Sequence, residues 1–257
     1  RHKRELQLTR KGEEYLPVVR IMLNDLHVAT RALLNGDDER ALCVSVAESF
    51  AVNWLINRLG RFRKRYPNWD IHLASQNQID DLGNVIGEEG PNWVDLRVRY
   101  GRGKWPGLHI TKLFDEDVFP VCSPELTDPE HPIRQLEDLA DYVLIHDDMQ
   151  MSWESWVRSV GYSKGISAKG PRFSHSHMAL QAALNGEGIL LGRSVLAQDH
   201  LKTGQLVRPI EISVPAEHSY FLLCQERMVG DAKAVAQQLL RALREEFPEG
   251  RPNPEWR

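Results

Sequence analysis

Two short polar stretches stand where apolar strands hand over to helices, and they are the residues of this chain best placed to do chemistry. The first is Glu48-Ser49-Phe50, which follows the alternating strand residues Leu42, Val44 and Val46 and precedes the helically spaced Trp54, Leu55, Leu59 and Phe62. The second is Ser174-His175-Ser176-His177, ahead of a helix predicted from Met178 to Asn185. A strand that passes into a helix through serine exposes unpaired N–H groups and the positive end of the helix dipole, where small polar or anionic groups dock. The alternative for Ser49 is that it only caps its own helix; the recurrence of the pattern in a second segment favours binding. Tyr100, Arg102 and His146 stand at the ends of other predicted strands, and in open α/β sheets ligands sit beyond the C-terminal ends of strands. Ser49 and Ser176 are therefore expected to face each other across a cleft, with Arg102 and the helix N-termini favouring an anionic ligand such as a carboxylate.

Other chemistries find less support. His175 and His177, with His146 upstream, match no familiar zinc spacing and have no cysteine or carboxylate close by in sequence, so no metal or other cofactor is expected. Asp147-Asp148 resembles a carboxylate pair, yet neighbours at a strand end point apart, which argues against shared acid–base work. No G-x-S-x-G, P-loop or G-x-G-x-x-G fingerprint is present, and Gly101-Arg102-Gly103 reads only as a turn. No catalytic residue is assigned, and the chain is not expected to be an enzyme. Cys43, Cys122 and Cys224 each sit in an apolar run and read as small buried residues, with a redox-sensing thiol as the alternative. Arg58, Arg61, Arg63, Lys64 and Arg65 read as a solvated helix face, or as a surface for an acidic partner in a dimer.

The elements that must position these residues follow from patterning. The 257 residues carry 42% hydrophobic and 26% charged side chains and a net charge of −4, ordinary for a globular protein and without an overall bias toward nucleic acid or membrane. No apolar run approaches the roughly 20 residues of a membrane span and no signal peptide opens the chain, so a cytoplasmic protein with no membrane partner is expected. Locally the balance differs: residues 1–12 hold Arg1, Lys3, Arg4, Arg10 and Lys11 against Glu5 alone, five minus one, or +4. A start inside a basic run without an initiator Met reads as a piece of something longer.

Thr9 stands at the N-cap of a helix predicted from Arg10 to Asn35. Leu16, Val19, Leu23, Leu26, Thr30 and Leu33 recur along it at spacings of three and four, a heptad seam suited to pairing with a second copy. A helix of about 26 residues is roughly 39 Å long, more than a small domain can cover. After Gly36-Asp37-Asp38 strands and helices alternate, which predicts an α/β fold with mostly parallel sheet. Pro124, Pro129 and Pro132 mark the expected crossing between two lobes, and a strand from His218 to Gln225 is expected to return to the first lobe. A last helix is predicted from Val229 to Phe247, followed by a loose tail.

The segments LTRKGEEYLPVV (8–19), ESFAVNWLINRLGRFRKRYP (48–67), VDLRVRYGRGKWPGL (94–108), PVCSPEL (120–126) and HSHMALQAALNGEGILLG (175–192), in that order, closely resemble the LysR-type transcriptional regulators, in the branch that contains the glycine-cleavage activator. The resemblance covers nearly the whole chain. It implies a two-lobed effector domain similar to periplasmic binding proteins, preceded by a dimerising linker helix and a winged helix-turn-helix. Placed on this sequence, 1–9 is the end of the wing, 10–36 the linker helix, 41–247 the effector-binding domain, with lobe I at 41–120 and 222–247 and lobe II at 123–216, and 248–257 the tail. The resemblance implies an effector pocket of Ser49, Phe50, Tyr100, Arg102, His146, Ser174, His175 and Tyr220, joined by Ser176 from the second junction. It implies wing contacts to the DNA backbone from Arg1, Lys3 and Arg4, and dimerisation through Leu16, Val19, Leu23, Leu26 and Leu33. The implied partners are DNA, through a domain absent from this chain, a small-molecule effector, a second copy in a dimer or tetramer, and RNA polymerase. The rival readings are an enzyme or small-molecule-binding protein on the same two-lobed fold, and a thiol-based redox-sensing regulator.

Overall fold

The computed structural model describes residues 8–12, positions 15, 16, 18, 19, 22, 23, 26 and 30, and residues 40–75, 94–105, 108–127, 133–148, 151–162, 166 and 169–225. Of the N-terminal helix, residues 10–12 and all eight of those single positions are helical. The Thr9 hydroxyl accepts a hydrogen bond from the Gly12 backbone N–H at 3.2 Å, the N-cap contact its position predicts. On this helix Leu23 and Leu26 are 60% and 64% exposed, so the heptad seam is not used up inside the chain. Arg1, Lys3, Arg4, Leu33 and the helix predicted over 229–247 lie outside the described residues.

Strand β1 (Arg40–Val46), buried on both faces from Leu42 to Val46, occupies the inside of a five-stranded sheet. It pairs in parallel with β2 (Trp69–Ser75), Leu42 opposite Ile71, and with β3 (Leu96–Gly101). Between β1 and β2 runs helix α1, built of Glu48–Phe50, a π-helical turn Ala51–Leu55, and Ile56–Arg65. Strands β4 (Leu108–Phe114) and β10 (Ser219–Gln225) complete this sheet in the order β2-β1-β3-β10-β4, with β10 antiparallel to both neighbours. The turn after β3 needs Gly103: its φ is 76°, and a Cβ there would meet the Phe221 ring at 2.8 Å.

A second sheet has the order β7-β6-β8-β5-β9. Its strands are β5 (Asp117–Val121), β6 (Leu144–Asp147), β7 (Arg172–Phe173), β8 (Ile189–Arg193) and β9 (Val214–Pro215). Helices α2 (Trp153–Ser159), α3 (Ser176–Leu184) and α4 (Ser194–Lys202) lie between them in sequence. β6 runs parallel to β7 and β8, and β5 antiparallel to β8 and β9, so both sheets are mixed rather than mostly parallel. The core of this lobe is pinned by Trp153 and Trp156, whose indole N–H groups donate to the Ile145 and Val118 carbonyls at 3.0 and 3.1 Å.

The chain changes sheets at Asp115-Glu116, between β4 and β5, and comes back at 216–218, between β9 and β10. This corrects the crossing expected at the prolines. Val118 to Val121 pair with Leu190 to Arg193 of the second sheet, so β5 belongs to lobe II, and β10 rejoins lobe I from Ser219. Apolar alternation marks a strand but carries no information on which sheet it joins, and Pro124 instead opens a short 3-10 turn within lobe II. Between α4 and β9, Val207 forms an isolated antiparallel bridge with Cys122.

Candidate functional site

The two polar junctions meet. Helix α1 has Ala47 at its N-cap with no side-chain cap, so Ser49 does not cap its own helix. Its hydroxyl instead accepts the backbone N–H of His177, the second residue of α3, at 3.2 Å, and lies 3.4 Å from the His177 ring Nδ1. The N-cap residue of α3, His175, makes no capping bond of its own. A serine of lobe I therefore fills the place where a cap residue or an anion would sit on a lobe II helix. Ser176, expected opposite Ser49, is buried in the first turn of α3, and the facing residue is His177.

The π turn aims this end of α1. It closes with the Ile56 N–H on the Ala51 carbonyl, one residue further back than in an α-helix, and the Asn53 side chain donates to the Ser49 carbonyl at 2.9 Å. Two turns on, the same helix binds α4 of lobe II. Trp54 Nε1 donates to Gln198 Oε1 at 3.2 Å, Asn57 Nδ2 donates to Asp199 Oδ2 at 3.1 Å, and Arg58 grips Asp199 through two bonds of 2.8 and 2.9 Å. The Arg58 guanidinium also covers the Trp54 ring at 4.3 Å. Burial acts to raise the Asp199 carboxyl, but the bonds from Arg58 and Asn57 win and hold it below the ordinary carboxylate range. Arg58 is thus buried in an inter-lobe ion pair rather than lying on a solvated basic face, and Trp54 is wholly buried against this chain's own second lobe.

Beneath the junctions lies an aromatic floor. Phe50 stacks on Trp54 at 5.0 Å and lies 4.8 Å from Tyr220, which is 5.0 Å from Tyr100. Burial pushes both phenols above their usual value. Arg193 and Glu116, neither singled out by sequence, form a buried ion pair here. Burial raises the Glu116 carboxyl in spite of Arg193; burial disfavours the Arg193 charge, yet Glu116 and the two phenols more than restore it.

The remaining expected site residues divide. Ser174 is exposed and its hydroxyl bonds the His175 ring at 2.7 Å; the His175 and His177 rings are 5.6 Å apart. His146 is buried at the end of β6 and lines a cavity of about 100 Å3 with Asp147, Asp148, Met151, Trp153 and Arg172. Asp147 is near enough to Tyr100 to help raise its phenol. Arg102 is not brought into the cluster: it pairs with Glu217 at 2.9 Å on the rim, both more than 60% exposed. Among the described residues no group of three or more His, Cys, Asp or Glu is arranged to hold a metal. Cys43 and Cys122 are buried and Cys224 half-buried, and burial pushes the Cys122 thiol up to about 11, away from the reactive thiolate.

Two mixed sheets joined by two crossings, with polar helix starts meeting at the seam, define a two-lobed ligand-binding domain of the periplasmic-binding-protein kind. Residues 35–248 match the family described as LysR substrate binding domain, and the chain belongs to the LysR family of transcriptional regulators. It is 36% identical over 236 residues to the glycine cleavage system transcriptional activator of Escherichia coli (strain K12), which covers 92% of this chain and 75% of that protein. The HTH-type transcriptional activator AmpR of Providencia stuartii is 30% identical over 240 residues, covering 93% of this chain and 78% of that protein. Among solved structures, the AmpR effector binding domain from Citrobacter freundii aligns with a TM-score of 0.64 at 23% identity, over 80% of this chain and all of that one. The full-length Vibrio cholerae virulence activator AphB aligns with a TM-score of 0.59 at 22% identity, over 96% of this chain and 82% of that one. These two structures show the shared fold.

Proposed function

We propose that the seam between the lobes binds a small metabolite carrying an acidic or other acceptor oxygen, and that binding changes how the lobes sit on each other and so how a paired DNA-binding unit is held. The observation that carries this reading is the Ser49 hydroxyl on the His177 amide: a lobe I oxygen occupies the N-terminus of a lobe II helix, the place an effector oxygen would take. A ligand that replaces one inter-lobe contact but not the others binds one lobe arrangement better than another, which is what a switch requires. The exposed heptad residues Leu23 and Leu26, with Leu16 and Val19 beside them, support self-association through the N-terminal helix. The relatives bear the names of transcriptional regulators, which supports a sensing rather than an enzymatic role in the cytoplasm, acting on DNA through a domain outside this chain. No helix among the described residues is long and apolar enough to cross a membrane.

Titration calorimetry with acetate, succinate and glycine tests the reading. Binding by at least one, tightened by Ser49→Ala because the competing hydroxyl is gone, is the expected result. Absence of binding by all three, or binding that Ser49→Ala leaves unchanged or weakens, overturns it.

A further inference from the structure

The buried pair Arg193–Glu116 stands at the first lobe crossing. Glu116 lies in the crossing itself and is 2% exposed; Arg193 ends β8 in lobe II and is 5% exposed. Arg193 Nε donates to Glu116 Oε2 at 2.8 Å, and Nη2 donates to the hydroxyl oxygen of Tyr220 in lobe I. The same guanidinium lies 3.8 Å from the centre of the Tyr100 ring and 5.3 Å from that of Tyr220. One cation thus holds the crossing, the second lobe and both phenols of the floor.

The donor inventory gives this cluster a direction. Arginine has five N–H donors and no acceptor, so where Nη2 meets Tyr220 the phenol oxygen must accept. The phenolic proton of Tyr220 is left to point elsewhere, and among the described residues no acceptor lies on it. Tyr100 is different, because its hydroxyl faces the Glu116 carboxylate. A buried donor without an acceptor is costly, so its proton marks a place for an acceptor oxygen from water, an ion or a ligand. Tyr220 is 2% exposed, so a guest reaches it only as the lobes part, which ties occupancy to lobe geometry.

We propose that Arg193 and Glu116 are positioning residues of the effector site: Glu116 fixes Arg193, and Arg193 turns the Tyr220 phenol into a hydrogen-bond donor reserved for an acceptor oxygen of the effector. The inference rests on the effector reading above and deepens it. Tyr220, not Tyr100, then supplies the phenolic proton to the ligand.

The chain labelled with 13C at the tyrosine ring carbon bearing oxygen tests this without ligand. Its six tyrosines give six signals, with those of Tyr220 and Tyr100 assigned by Tyr220→Phe and Tyr100→Phe. Arg193→Lys keeps the charge but not the fork, and Glu116→Gln keeps volume and an acceptor oxygen; each is expected to move the Tyr220 signal while circular dichroism stays native. An unmoved Tyr220 signal in folded variants overturns the proposal, as does failure of both variants to fold, which makes the pair purely structural. The second arm is affinity for whichever of acetate, succinate or glycine binds the wild type. Tyr220→Phe and Arg193→Lys should each weaken it about tenfold, with the double variant no weaker than the worse single one. Additive losses overturn the proposal. If none of the three binds the wild type, the effector reading fails, and the NMR result still decides the positioning role.

Discussion

Helix α1 touches lobe II at two places, and the two contacts differ in kind. At its first turn a single half-buried serine hydroxyl meets the His177 amide at 3.2 Å. Two turns later Trp54, Asn57 and Arg58 grip Gln198 and Asp199 through a buried ring, a forked ion pair and two further side-chain hydrogen bonds. The second contact is large, apolar at its centre and has no cheap replacement, so it sets how the lobes rest. The first is one serine hydroxyl on one histidine, whose place on the His177 amide any acceptor oxygen can take. A switch benefits from this asymmetry, because the ligand competes only with the weak contact while the strong one keeps the folded unit intact.

The sharpest way to break the contrast is Trp54→Ala. It removes a fully buried indole and its bond to Gln198 and should cost about 3–5 kcal/mol in urea unfolding. A loss as small as that of a surface substitution would show that the second contact does not hold the lobes. Arg58→Ala comes next. It leaves Asp199, whose side chain is 26% exposed, without its main cation, and about 2–3 kcal/mol should be lost, short of the value for a fully buried pair. Asp199→Ala should cost a similar amount, and the double variant should lose clearly less than the two single losses combined.

Acid should weaken the same contact. The folded-state carboxyl of Asp199 is depressed, so its contribution is complete above the unfolded value of about 3.9 and is lost as pH falls through the lower folded value. The stability gap between wild type and Asp199→Asn should therefore be constant from neutral pH to about pH 5 and shrink below about pH 4. A gap that instead closes between pH 6 and 8 would assign the linkage to another group. The smallest effect is expected for Ser49→Ala, under about 1 kcal/mol by urea unfolding, since only half-buried contacts to His177 are removed. A stability loss rivalling that of Arg58→Ala would erase the distinction between the contacts.

The sequence located the parts of this molecule better than their partners. Strands around Leu42–Val46, Val118–Val121 and Tyr220–Cys224, the helix after Ser49, and the helix after the Ser174–His177 junction are all present, because alternation and 3.6-residue periodicity are local properties. Ser49, Phe50, Tyr100 and Tyr220 do meet at the seam or the floor beneath it. Arg102 went instead to Glu217 on the rim, since a charge at a strand end pairs with whatever the far chain brings near. Arg193 and Glu116 left no local sign: one ends an apolar strand, the other stands in a short acidic link, and their 77-residue separation conceals the pair. Arg58 looked like one of five cations on a wet helix face until α4 placed Asp199 against it.

What the sequence alone determined is the alternation of strand and helix, the two polar helix starts, the heptad stripe of the N-terminal helix and, through its ordered motifs, the family. Each of these depends on residues a few positions apart or on a long stretch of matching chain. The tertiary structure alone decided where the chain changes lobes, which serine caps which helix, and which arginines are buried. Those outcomes depend on strand pairing and on ion pairs that span about 80 to 140 residues of chain, and nothing in a local pattern encodes which distant group will arrive.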